Sequence, residues 1–224
     1  MKKNKRKIKK GVIFLIVLFL IIIYALLVYF GFGFDVKNIY IYDNNYLKDQ
    51  EIIDYLSLND FPNFYTFNTI AYEKKLKSNP LVKDVTIKKK LFHQIHIYIT
   101  EYSILYKRAQ DNKYVLSSNK DVILDKDYNV PILINYIPNT KQTRFNSKMA
   151  KIDKDVLVKI SEIKYDPTDV DEDRFLFYML DENYVYVTLT KMNLINKYND
   201  AITQFEGKRG ILYLDSGNYF KIMD

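Results

Sequence analysis

The sequence contains no cysteine and no tryptophan, and only two histidines, six glycines and five prolines in 224 residues. Without cysteine, the protein can form no disulfide, Cys-ligated zinc site, iron–sulfur cluster or thiol nucleophile. Hydrophobic residues make up 48% of the chain and aromatic residues 16%. This composition excludes the collagen-like and wholly disordered classes and is typical of a folded protein.

The excess of positive charge lies entirely in the N-terminal tail. Of 34 basic and 27 acidic residues, seven basic ones and no acidic one fall in the first ten positions. They are Lys2, Lys3, Lys5, Arg6, Lys7, Lys9 and Lys10. The remainder of the chain has no net charge, so we expect its folded part to bind no nucleic acid.

An uncharged run, GVIFLIVLFLIIIYALLVYFGFGF, occupies residues 11–34. As a helix rising 1.5 Å per residue it can cross a hydrocarbon core of about 30 Å, with Val12, Leu20 and Leu27 inside the membrane. A cleaved signal peptide has a shorter apolar region and a small-x-small cleavage site, which this run lacks. A buried core helix would need longer helices around it than the sequence predicts. We therefore interpret the run as an uncleaved anchor.

The basic tail predicts the orientation of this anchor, because such residues remain on the cytoplasmic side. We expect a single-pass protein of the cell membrane, with its N-terminus in the cytoplasm and its C-terminus outside. The predicted organisation is a cytoplasmic tail (1–10), a transmembrane helix (11–34), a first outer domain (35–102) and a second outer domain (103–224).

The first outer domain reads as strand, helix, helix, strand, strand. The predicted strands carry alternating apolar residues, which are Ile39 and Ile41, then Val85 and Ile87, then Ile95, Ile97 and Ile99. Asp49 is predicted to cap a helix with Ile52, Ile53 and Leu56 on one side, and Asn68 a helix with Ile70 and Leu76 on one side. Two helices on one face of a three-stranded sheet fit this order.

The second outer domain reads as a mixed α+β domain around one sheet. Predicted strands cover 103–109, 113–116, 121–124, 131–134, 174–180, 184–189, 211–214 and 219–223. A helix is predicted over 153–163, where Ile152, Val156, Ile160 and Ile163 follow helical spacing. A second helix is predicted around 194–205.

No residue pattern predicts catalysis or metal binding. His93 and His96 lie three apart on a predicted strand and so face opposite sides, which rules out a shared metal. Asp169, Asp171 and Asp173 have the first spacings of a calcium loop, but the required Gly and bidentate Glu are replaced by Arg174 and Leu180. We expect no cofactor, no metal and no small-molecule substrate. Lys88, Lys89 and Lys90 are interpreted as a solvated hairpin end, with contact to anionic lipid or cell-wall polymer as the alternative.

Several segments together resemble the FtsQ/DivIB family of bacterial cell-division proteins, especially its Gram-positive DivIB branch. FDVKNIYIYDNNYL (34–47) and NPLVKDVTIKKKLFHQIHIYITE (79–101) are similar to the family's POTRA domain. VPILINY, ISEIKY, FYMLDENYVYV and GILYLDSGNYFKIM are similar to successive parts of its β domain. Asn44 stands where the family commonly has Gly, and Asn tolerates the left-handed backbone of such a turn.

The resemblance implies a transmembrane helix, a POTRA domain and a β domain that ends in an edge strand. It also implies a non-catalytic scaffold at the division septum, with FtsL-like and DivIC/FtsB-like partners and a septal peptidoglycan synthase as a further partner. In the family the last strand is the FtsB-type contact, which here corresponds to Tyr219, Phe220, Lys221, Ile222 and Met223. An edge strand can accept a partner's strand through its unpaired backbone groups.

Two alternatives remain open from the sequence. A POTRA-type transport or assembly component is one, although no repeated POTRA unit or β-barrel is visible. A membrane-anchored cell-wall enzyme is the other, since a fold can bring distant acids together. The alternation of the last strand separates Tyr219, Lys221 and Met223 from Phe220 and Ile222, and leaves open which set faces outward.

Overall fold

The computed structural model describes residues 10–29, 33–205 and 207–223. Its contacts divide the chain into two compact units, Met1–Glu101 and Tyr102–Asp224. The predicted orientation residues from Lys2 to Lys9 lie outside the described residues, and Lys10 begins the first helix. The assignment of cytoplasmic, membrane and outer segments therefore stays a prediction.

The first helix, α1 (Lys10–Tyr29), is long and apolar enough to cross a membrane, and it is the one described helix that is. None of its side chains is buried against the rest of the chain. Val12, Leu20 and Leu27, the predicted membrane residues, are all exposed on it. A helix that is apolar on every side and has no buried side chain needs an apolar solvent, which fits a bilayer.

The rest of the first unit has the predicted order. It comprises β1 (Asn38–Tyr42), α2 (Asp49–Leu56), α3 (Thr69–Lys77), β2 (Val82–Lys90) and β3 (Gln94–Glu101). The sheet order is β1-β3-β2, with β3 parallel to β1 and antiparallel to β2. The central strand contributes Ile95, Ile97 and Ile99, each at most 1% exposed, and Leu56 and Leu76 of the two helices pack in the same core.

Three local predictions in this unit need correction. Lys48, not Asp49, occupies the N-cap of α2, and its N–H donates to Glu51 Oε2 at 3.0 Å. Ile70 of α3 is 75% exposed instead of facing the core of the unit. The left-handed residue of the first turn is Asp43, with φ of 66°, and the side chain of Asn44 donates to Leu47 O and Asp49 Oδ1, both at 2.8 Å.

The second unit is built on a nine-stranded sheet of order β12-β11-β10-β9-β8-β7-β4-β5-β6. Its strands are β4 (Ile104–Arg108), β5 (Tyr114–Leu116), β6 (Asp121–Val122), β7 (Ile132–Leu133), β8 (Ile160–Tyr165), β9 (Arg174–Met179), β10 (Tyr184–Thr188), β11 (Gly210–Tyr213) and β12 (Tyr219–Ile222). Its helices are α4 (Asn139–Met149), α5 (Lys154–Leu157), the 3₁₀ helix η1 (Leu189–Lys197) and α6 (Tyr198–Thr203). The predicted α+β class is confirmed.

The predicted helix over 153–163 is wrong. Only Lys154–Leu157 is helical, and Ile160–Tyr165 is the strand β8. Its pairing with β9 shifts register between Ile160 and Glu162, and this bulge leaves both Ile160 and Ile163 buried. Buried residues three apart on a bulged strand imitate helical spacing. The helix α4 was not predicted.

The core of the second unit lies between one face of the sheet and the helices. Phe175 of β9 is fully buried, with its ring 4.5 Å from that of Phe145 on α4 and 5.2 Å from that of Tyr165 on β8. Val185 and Val187 of β10 enter the same core. Tyr198 of α6 is also buried and donates from its hydroxyl to the carboxylate of Asp181 at 2.8 Å.

Candidate interaction edge

The last strand, β12, forms one end of the nine-stranded sheet and pairs with β11 alone among the described strands. The pairing is antiparallel, with Lys221 opposite Ile211, and the N–H of Met223 donates to Arg209 O at 3.0 Å. Alternate residues of an antiparallel strand bond to the same neighbour. The N–H and C=O groups of Phe220 and Ile222 consequently point away from β11, toward the open edge.

The two faces of β12 differ in their surroundings. The ring of Phe220 lies 4.2 Å from that of Phe205, against the core of the unit. Ile222 follows on the same face and is 47% exposed, while Met223 is half-buried after the strand ends. Tyr219 and Lys221 are exposed on the opposite face. The structure thus places Tyr219 and Lys221 outward and Phe220 inward.

A row of stacked tyrosines runs across the outward face to β12. The ring of Tyr219 lies 4.7 Å from that of Tyr213 on β11, which lies 5.4 Å from that of Tyr186 on β10. The guanidinium of Arg174 on β9 continues the row 4.6 Å from the Tyr186 ring. We call these four residues the tyrosine row. Cross-strand aromatic pairs of this kind stabilise a sheet and hold its surface in one shape.

Ion pairing fixes Arg174 at the inner end of the tyrosine row. Its guanidinium donates to Asp166 Oδ2 at 2.6 Å and to the backbone O of Asp166 at 2.9 Å, and Lys164 lies 3.0 Å from the same carboxylate. Burial acts to raise the pKa of Asp166, but the hydrogen bonds from Lys164 and Arg174 outweigh it and lower the pKa. Burial raises the pKa of Tyr186. The ion pair with Asp166 therefore holds the guanidinium of Arg174 beside the Tyr186 ring.

An open cleft of about 830 Å³ adjoins the end of β12. Ile222 and Met223 line one part of it, and Arg209, Glu182 and Tyr184 line another. The buried N–H of Gly210, at the start of β11, donates to Asn183 Oδ1 at 2.8 Å and so joins β11 to the turn between β9 and β10 beside the cleft. A strand laid along β12 would extend beside this cleft.

The two histidines and Asp173, which the sequence offers as possible metal ligands, contact other side chains instead. His96 lies on β3 with Nδ1 3.1 Å from the Tyr42 hydroxyl, and the ring of His93 in the turn before β3 stacks on Phe64 at 5.0 Å. Asp173 accepts from Lys141 and Arg144 at 2.8 and 2.9 Å. Within the described ranges, no group of three His, Asp or Glu residues is arranged to hold a metal.

Sequence reasoning located β12 but not the tyrosine row or the cleft. The row joins residues far apart in the sequence, and β10 and β11 are parallel neighbours joined through η1 and α6. Only the register Tyr186–Tyr213–Tyr219 brings the three rings together. The alternating tyrosines of YVYV at 184–187 were the available signal, since they predict an aromatic outer face.

Comparison with known proteins gives consistent matches. The family described as POTRA domain, FtsQ-type, matches residues 34–102. The cell division protein DivIB of Bacillus subtilis is 31% identical over 193 residues, covering 83% of this chain and 73% of that protein. The DivIB of Listeria monocytogenes is 31% identical over 157 residues, covering 66% of this chain and 58% of that protein.

One solved structure is also similar. It is the major extracytoplasmic domain of the cell division protein DivIB from Geobacillus stearothermophilus. The match has a TM-score of 0.40 and 21% sequence identity, and it covers 46% of this chain and 92% of that one.

Proposed function

This chain belongs to the FtsQ/DivIB family of bacterial cell-division proteins, and we propose that it is a non-catalytic, single-pass scaffold of the divisome. Its outer part binds FtsL-like and DivIC/FtsB-like partners at the septum. The contact is β-strand addition at β12, which uses Tyr219, Phe220, Lys221, Ile222 and Met223. The septal peptidoglycan synthase is a further partner of the same assembly.

The observation that carries this proposal is the open edge of β12. Phe220 and Ile222 direct backbone N–H and C=O groups away from β11, and an added strand would satisfy them. Main-chain bonds supply affinity in this mode, and side chains beside the edge supply specificity. Here the exposed Tyr219 and Lys221 on one face and Ile222 on the other supply those side chains, and the cleft adjoins the end of the strand.

Anchorage in a common membrane supports assembly through such a small edge. Partners anchored in the same bilayer meet at a high effective concentration, so even a four-residue strand can hold them. α1 has the length and composition of such an anchor. Truncation at Asp215 removes all of β12 and should abolish the complex.

A sharper test replaces Ile222 with proline in the full chain. Because the N–H of Ile222 points away from β11, proline removes no bond within this sheet but puts its ring where an added strand must approach. We expect binding of the FtsL-like and DivIC-like proteins of the same organism to weaken at least tenfold, about 1.4 kcal/mol. Detergent-solubilised full-length proteins and biolayer interferometry provide the measurement.

Ile222→Ala is the matched control, because it shortens the side chain and keeps the N–H. It should bind more tightly than Ile222→Pro. Equal binding by Ile222→Pro and wild type would contradict strand addition at this edge. Failure of the wild type to bind either partner, alone or together, would contradict the proposed partners themselves.

A further inference from the structure

The hairpin between β2 and β3 points toward the end of the first unit where the chain leaves the apolar run. β1 begins at Asn38, four residues after Phe34, and Asn38 is level with Gln94 at the start of the parallel strand β3. The N–H of Lys37 donates to His93 O at 2.9 Å. Four extended residues span at most about 14 Å. The start of β1, where the hairpin turn is bonded, therefore lies within that distance of Phe34, the end of the apolar run.

Two further contacts fix the same end of the unit. The N–H of Phe64 donates to Phe34 O at 2.8 Å, and Asn63 Nδ2 donates to Val28 O, in the last turn of α1, at 2.9 Å. The loop 61–67 therefore lies beside the anchor's exit. The ring of Phe64 stacks on His93 of the hairpin turn at 5.0 Å, which joins the loop to the hairpin.

The hairpin turn exposes apolar side chains that contribute nothing to the core. Leu91 and Phe92 are each 80% exposed. Phe92 and His93 both have positive φ, 62° and 58°, a conformation that bulky residues seldom adopt. Exposed apolar side chains held on a strained turn are a frequent mark of a functional surface.

More exposed apolar residues gather at this end. They are Phe61 and Tyr65 of the adjoining loop and Ile70 in the first turn of α3. α3 runs antiparallel to β2, since Lys77 pairs with Asp84 and Glu73 accepts from the N–H of Ile87, which places its first turn level with the end of β2. At the opposite end, residues 43–49 and 78–81 expose no large hydrophobic side chain.

Basic residues surround the apolar tip. Lys37, Lys88, Lys89 and Lys90 are exposed there, against the exposed acids Asp35 and Asp60. Lys89 Nζ donates to Tyr65 O at 3.2 Å and lies 5.3 Å from the centre of the Phe64 ring. Apolar side chains ringed by lysine and tyrosine are the composition of a surface that lies in a membrane interface.

We propose that Leu91 and Phe92 insert into the interface of the bilayer that holds α1, with the lysines around them contacting anionic lipid headgroups. The insertion gives the first unit a second attachment beside its anchor and limits the tilt of the sheet against the membrane. This contact rests on the membrane anchorage proposed for α1, but it involves neither β12 nor any partner protein and is therefore tested separately from strand addition.

The absence of tryptophan makes a direct test possible, because one introduced tryptophan is the only one in the chain. The full chain with Phe92→Trp is reconstituted in liposomes of phosphatidylcholine and phosphatidylglycerol. We expect a blue-shifted emission and at least twofold quenching by lipids brominated in the upper acyl chain. Lys48→Trp, exposed at the opposite end of the unit, is the matched control and should emit as in water without quenching.

Two outcomes would overturn the proposal. One is an emission from Phe92→Trp that matches Lys48→Trp and is not quenched by brominated lipid. The other concerns charge. Quenching should fall in liposomes of phosphatidylcholine alone, and it should also fall when Lys88→Gln and Lys90→Gln are added to Phe92→Trp. Unchanged quenching in both cases would eliminate the contact between lysine and anionic headgroup. Circular dichroism of each variant verifies that the fold is intact.

Discussion

The sheets of the two units differ in how their outer strands are protected. β2, at one end of the three-stranded sheet, carries Lys83, Lys88, Lys89 and Lys90. β12 carries one lysine in four residues, and its other side chains are apolar or aromatic. Lysine on an edge strand opposes pairing with another chain. β2 is thus protected against strand addition by its lysines, and β12 lacks this protection.

The other two edge strands, β6 and β1, offer less to a partner than β12 does. β6, at the other end of the large sheet, has only two residues and offers little backbone to a partner. β1 has five residues without charge, but it begins four residues after the apolar run. The outer edge of β1 therefore starts beside the apolar run.

The largest expected effect tests whether the two units, which are separate in their contacts, also unfold independently. Phe175→Ala removes a fully buried ring packed between Phe145 and Tyr165 and should destabilise the second unit by about 3–5 kcal/mol. Ile97→Ala, in the centre of β3, should destabilise the first unit by about 2–5 kcal/mol. Hydrogen exchange of the full chain, resolved by peptide, measures both.

Each substitution should accelerate exchange in its own unit and leave protection in the other unchanged. Loss of protection in β1–β3 on Phe175→Ala, or in β8–β11 on Ile97→Ala, would show that the units unfold together. The two sheets would then not be independent in stability.

The first unit was predictable from sequence because its pattern is regular. The isoleucines of β3 alternate without interruption, and Asn68 caps α3 by accepting from the N–H of Ala71 at 3.2 Å. Local sequence patterns were enough to predict these elements, because each strand has one buried face and each helix has a clear boundary. The N-cap at Lys48 was missed because lysine has no cap-forming side chain; Glu51 satisfies its N–H instead.

The second unit was less predictable because its signals depend on pairing between distant strands. α4 buries Phe145, Asn146 and Met149 in an otherwise polar sequence, so its hydrophobic pattern is weak. The bulge in β8 gave strand residues a helical spacing. The last strand was visible as an alternation, but the direction of its free N–H groups follows only from its register with β11.

An intermediate effect is expected at Gly210, which tests how β12 is held. A Cβ at this position would overlap the backbone O of Lys221 and lie 2.5 Å from Cζ of Phe220. Gly210→Ala therefore forces β12 away from β11 and should cost about 1–3 kcal/mol. Faster hydrogen exchange in 219–223 with unchanged exchange in β9 and β10 is the expected result.

Gly207→Ala is the control for this substitution. Gly207 has no neighbour within 4 Å of the added Cβ, although its φ of 77° makes alanine strained there. It should therefore leave β12 protected even if it loosens its own loop. Equal loss of β12 protection in both variants would show that the close approach at Gly210 does not hold the strand.

The smallest expected effect is the loss of stability when an ion pair is removed, and it should differ between the two units. Asp166 has a pKa below its ordinary value of 3.8, because bonds from Lys164 and Arg174 outweigh the effect of burial. A carboxylate with a lowered folded pKa stabilises the protein above its unfolded pKa, and this stability is lost as the pH falls through the folded pKa. Asp166→Asn should therefore cost less than about 1 kcal/mol at pH 7 and nothing well below the lowered pKa.

Asp84 in the first unit also has a lowered pKa, from its hydrogen bond with Lys77. Both side chains of that pair are at least half exposed, however, so solvent screens them and Asp84→Asn should not change stability measurably. Urea unfolding of the full chain, followed by hydrogen exchange in each unit at pH 7 and pH 2, separates the two cases. A pH-independent loss in Asp166→Asn would mean that the asparagine disturbs the position of Arg174 beside Tyr186, and that charge contributes nothing at the inner end of the tyrosine row.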